Sequence, residues 1–97
     1  MTRQELRNLW LEIDAELQTL RPAFNPSASG TTALKYFDEF LSANEFGLAL
    51  DTLCDFLLES DAPTISPELL GQISGLHHKM GIDDNRVGKL RQKAAHW

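Results

Sequence analysis

Apolar residues recur every three or four positions through nearly all of this chain, and nowhere do they alternate strictly with polar ones. A helix repeats about every 3.6 residues and a strand every two, so this spacing confines the chain to packed helices. Leu6, Leu9, Trp10, Ile13, Leu17 and Leu20 fall on one stripe of a first helix. Thr2 opens it, with Glu5 placed three residues later as in a capping box. Pro22 stops that helix near Arg21. Pro22 to Gly30 then reads as a loop, with Phe24 as its anchor into a core.

Thr31 or Thr32 is the expected cap of a second helix, which reaches about Ser42. Leu34, Tyr36, Phe37, Phe40 and Leu41 form its apolar half. Asn44 is the expected cap of a third helix, with Glu45 in the first turn. Phe46, Ala49, Leu50, Leu53 and Leu57 make its inward stripe. Asp61 to Ile65 reads as a turn around Pro63. Ser66-Pro67-Glu68 is a helix start: a cap, a proline at the first helical position, then an acid. Leu69, Leu70, Ile73, Leu76 and Met80 face inward. Gly81 reads as a left-handed terminator, with Ile82 closing over it. Asp83 or Asp84 caps a last helix bearing Val87, Leu90 and Ala94 on one side and Arg86, Lys89 and Lys93 on another. The expected architecture is all-α: a compact bundle of four to five short helices around one core, spanning residues 1–97 as a single domain. Trp10, Ile13, Leu17, Phe37, Leu50, Leu53, Ile73 and Leu76 should meet in that core.

Charge is unevenly placed. Residues 31–62 carry seven acids against Lys35 alone, whereas residues 63–97 carry five bases against three acids. A negative middle repels phosphate backbones, so no direct nucleic-acid partner is expected. The same middle attracts a basic protein and speeds its encounter, unless it serves only as a solubilising surface. No apolar run exceeds Phe46 to Leu50, so no membrane partner is expected either. With one cysteine, Cys54, and no leader-like apolar segment, the expected location is the cytoplasm.

The chain offers no constellation for catalysis. His77 and His78 are neighbours on a helix and point about 100° apart, so they cannot share one metal. His77 falls at the edge of the apolar stripe as a packing residue, and His78 faces solvent. Cys54 has no base beside it in sequence to activate its thiol. There is no phosphate loop, dinucleotide fingerprint or nucleophile elbow. Gly71 and Gly75, four apart, suggest close approach of a neighbouring backbone. No catalytic residue, cofactor or metal is therefore expected.

The third helix has one face that breaks the pattern. Asp51, Asp55 and Glu59 recur every four residues as an acidic ridge, and Leu48 and Leu58 project from the same arc. Either another helix covers that arc, or it is a binding surface with apolar anchors among acids. With Asp38 and Glu39 on the preceding helix, the candidate partner-binding set is Asp38, Glu39, Leu48, Asp51, Asp55, Leu58 and Glu59.

Phe37-Asp38-Glu39-Phe40-Leu41, Asn44-Glu45-Phe46-Gly47-Leu48-Ala49-Leu50 and Leu53-Cys54-Asp55-Phe56-Leu57 resemble the MafI family of bacterial immunity proteins. So do Ile65-Ser66-Pro67-Glu68-Leu69 and Met80-Gly81-Ile82-Asp83. The likeness covers residues 37–84, about half of the chain. It implies a non-enzymatic antitoxin that binds the C-terminal domain of a cognate polymorphic toxin, often a basic nuclease such as an RNase, in a 1:1 complex. The alternative is a small helical adaptor that inhibits nothing. The matching residues are mainly caps, turns and inward positions, so the shared pattern carries scaffold rather than specificity.

Overall fold

The computed structural model describes residues 2–24, 28–59, 65–82 and 85–95. The architecture is an all-α bundle of five helices: α1 (Arg3–Gln18), α2 (Ala28–Ser42), α3 (Phe46–Glu59), α4 (Pro67–Met80) and α5 (Arg86–Ala95). A 3-10 turn over Arg21–Ala23 follows α1, and no strand occurs among the described residues. Among the described residues no helix is long and apolar enough to cross a membrane.

Three of the sequence signals work as read. The Thr2 side chain accepts from the Glu5 amide, and the Ser66 side chain from the Leu69 amide. Gly81 adopts φ 69°, while the Ile82 amide reaches back to the His77 carbonyl at 2.9 Å, closing a Schellman turn.

Asn44 differs from expectation. It has φ 58°, with its amide on the Leu41 carbonyl and the Glu45 amide on the Phe40 carbonyl. It therefore terminates α2 in a second Schellman turn and does not cap α3. Asparagine serves at either helix end, because its short side chain tolerates the left-handed region. Glu45 instead supplies the carbonyl that receives the Ala49 amide in the first turn of α3.

The second helix also begins earlier than Thr31, at Ala28. Gly30 is buried, so its weak helix propensity is set against a close-packed position. Pro22 sits inside the 3-10 turn, where its missing amide is harmless. Phe24 is buried as expected, tilted against Phe37 and Phe56 with ring centroids 5.1 and 5.4 Å away. The expected turn around Pro63 and the Asp83 or Asp84 cap lie outside the described residues. Asn85 precedes α5, and its carbonyl takes the Lys89 amide.

The third helix is the hub. It packs against α1, α2 and α5, while α4 packs against α1 and α5. Ala49, Leu50, Leu53, Cys54, Phe56 and Leu57 are all buried along it, a wider stripe than its apolar spacing suggested. Ile13, Leu17, Phe37, Leu50, Leu53, Ile73 and Leu76 share the core, but Trp10 does not: it is 50% exposed. Burial along α1 rises toward its C-terminal end, from half-covered Leu6 and Leu9 to buried Ile13 and Leu17. Trp10 lies on the margin of the stripe in the half that outruns the core. Gly71 and Gly75 are likewise corrected: both are exposed, and a β-carbon on either meets nothing within 4 Å. They admit no neighbouring backbone, because Ile73, Leu76 and His77 form the inward face of α4.

Lys79 clasps α4 to α1. Its ammonium hydrogen-bonds Glu16 and lies 3.4 Å from Glu12. Those contacts, the Glu16 hydrogen bond foremost, raise its pKa above the ordinary lysine value. A group whose pKa is raised by folding adds stability in full below its unfolded pKa and loses it as pH climbs through the folded one. Thermal melts of wild type and Lys79→Gln should therefore differ at neutral pH and converge as pH climbs above the ordinary lysine range. A gap that persists there assigns the effect to packing rather than to charge.

Candidate functional site

The arc of α3 singled out in the sequence meets two different neighbours. On one flank, α5 lies alongside. Arg86 Nε is 3.1 Å from Asp55 Oδ1, and the same guanidinium is 3.5 Å from Asp51 Oδ1. Lys93 donates to the last carbonyls of α3, those of Leu57 and Leu58. Leu58 is partly buried against the core. Much of the acidic ridge is thus met by the chain's own basic helix.

On the other flank, α2 and α3 enclose an open groove of about 790 Å³. Ser29, Thr32, Ala33, Tyr36 and Phe40 line it from α2, and Thr52, Asp55, Phe56 and Glu59 from α3. Phe56 is buried and Phe40 half-covered, forming an apolar floor. Tyr36, expected on the apolar half of its helix, is 51% exposed on the wall. Leu48, Thr52, Asp55 and Glu59 follow one another at spacings of four, three and four, a single stripe of α3. Leu48 is 46% exposed at the near end of that stripe, one turn before Thr52.

Asp38 and Glu39 do not join this groove. Both line a shallow depression on the opposite flank of α2 with Thr31, Leu34, Lys35 and Ser42. Arg21 grips Asp38 with both guanidinium nitrogens, the second at 3.0 Å, and also reaches Gln18. Of the seven candidate residues, Asp55 and Glu59 line the groove and Leu48 extends their stripe. Asp51 turns toward α5, Leu58 is partly buried against the core, and Asp38 and Glu39 stand apart. Sequence reasoning missed Tyr36 as a surface residue. The available signal was the width of the α2 apolar arc, too broad for one buried face.

Cys54 and His77 lie away from the groove lining. Cys54 is buried. His77 is buried, with Nδ1 2.9 Å from the Ile73 carbonyl oxygen. That oxygen can only accept, so Nδ1 carries the proton. Among the described residues no three His, Cys, Asp or Glu side chains converge as a metal site would require.

No known protein family, curated protein or solved structure matches this chain.

A second, partly exposed apolar region lies at the N-terminal end of α3. Leu6, Leu9, Trp10 and Ile13 of α1 face Phe46 and Met80 there, with Glu45 and Lys79 at the edge.

Proposed function

We propose that this chain is a cytoplasmic bacterial immunity protein, which binds a basic toxin domain one to one and blocks it without chemistry of its own. The toxin class the reading favours is a nuclease, RNases included. The α2–α3 groove is the observation that carries it: an aromatic floor, a half-exposed tyrosine wall and an acidic rim. Protein interfaces combine these features, with desolvated aromatic anchors ringed by polar groups that set orientation and speed encounter. The resemblance over residues 37–84 points the same way.

The test is co-expression with the toxin domain encoded beside it, read as growth and as a co-eluting complex. Tyr36→Ala combined with Glu59→Lys should abolish protection while circular dichroism stays unchanged, since both side chains are exposed. A folded double variant that protects like wild type removes this groove from the interface.

The Trp10 face favours a second reading, a helical adaptor, because an adaptor needs two separate docking surfaces. An adaptor would join two proteins in one complex and leave the toxin's catalytic activity untouched.

A further inference from the structure

We propose that the α2–α3 groove is an arginine receptor: a partner segment lays one arginine across it, its guanidinium on the Tyr36 ring and paired with Glu59, its stem over Phe40. This rests on the protein-binding reading above and adds the chemistry of what enters the groove.

Charge selects a cation. Among the described residues two carboxylates and three aliphatic hydroxyls line the groove, and no lysine, arginine or histidine does. Asp55 already shares Arg86 on its far side. Among the described residues Glu59 makes no ion pair. It is also the last residue of α3 and exposed. A carboxylate there faces the negative end of the helix dipole, a position that favours cations. Glu59 thus works against its own helix, as residues kept for recognition often do.

Shape selects arginine over lysine. A planar guanidinium stacks on an aromatic face while its edge meets a carboxylate through two parallel hydrogen bonds. Tyr36 and Glu59 offer both from opposite walls, and the Phe40–Phe56 floor suits an alkyl stem. The molecule already pairs a guanidinium with this stripe, on its other flank, through Arg86.

The experiment titrates a blocked, arginine-bearing alanine–leucine helical peptide into the full ¹⁵N-labelled chain, followed by amide shifts. Its counterparts carry citrulline, which is neutral and nearly isosteric, or lysine at the same position. Shifts should centre on Ser29, Thr32, Tyr36, Thr52 and Glu59. Citrulline should weaken binding by about tenfold or more, and lysine by less. Tyr36→Ala and Glu59→Gln should each weaken the arginine peptide by roughly tenfold, while Glu59→Gln leaves the melting temperature equal or higher. Equal binding of the citrulline peptide, shifts centred on the Trp10 face, or no shifts at all overturns the proposal. No toxin is present, so the outcomes separate. A chain that protects cells yet leaves these amides unmoved keeps the immunity reading and loses this one. A chain that binds arginine here but protects nothing does the reverse.

Discussion

Replacing Leu53 with alanine lowers the unfolding free energy by about 2–5 kcal/mol. Leu53 is 0% exposed at the middle of α3, the helix that α1, α2 and α5 all touch. Deleting its branched end removes transfer energy and leaves a cavity that several rigid helices must collapse to fill. A domain this small holds only about 5–15 kcal/mol in total, so the loss is a large fraction of it. The melting point should fall by roughly 10 °C or more, at about 4–8 °C per kcal/mol. Urea titration checks this: the midpoint should drop with an unchanged slope. A change below about 1 kcal/mol would show that the site relaxes freely and that α3 is not the hub.

Reversing Asp51 and Asp55 to lysine has the second largest effect, and it acts on the fold. The two aspartates flank Arg86, whose side chain is only 31% exposed. Two lysines there exchange attraction for repulsion and loosen α5 from the bundle. The expected loss is about 1–3 kcal/mol, more than a fully exposed pair contributes. Adding Arg86→Glu to the double reversal restores opposite charges and should recover part of the loss, a coupling that independent sites would not show. Denaturant titration of the double and triple variants decides it. If the double variant is as stable as wild type, α5 is held by Val87, Leu90 and Ala94 together with the Lys93 hydrogen bonds, and not by Arg86. With the expected loss, this pair is a poor probe of a docking surface, because binding and stability change together. Glu59 and Tyr36 separate the two.

The period of the apolar residues made the helices legible, and so did caps whose chemistry permits a single role, such as Ser66 before Pro67 or Gly81 before Ile82. Asn44 was ambiguous because one side chain suits both ends of a helix. Trp10 was misplaced because periodicity gives a direction around a helix and no information on where along it the neighbours stop. The acidic ridge shows a deeper limit. Asp51 and Asp55 were correctly put on one face, but Arg86 reaches them from more than thirty positions away with no local sign of the pairing. The signal was present in bulk form, a basic tail and an acidic middle within one chain, and it was read as a feature of the partner. The groove needed the orientation of α2 against α3, which the turn at Asn44 sets and which no spacing rule supplies.

That turn has a consequence for how the surface can change over time. Both walls of the groove come from the unbroken stretch 28–59, joined by the Schellman turn at Asn44. Little loop entropy is lost in bringing them together, and their mutual angle depends on neighbours in sequence. Four of the nine lining residues, Ser29, Thr32, Tyr36 and Glu59, are exposed, so they can be exchanged without touching the buried stripe. The stretch behaves as a cassette: new lining residues would alter what the groove accepts while α1, α4 and α5 keep the same bundle around it.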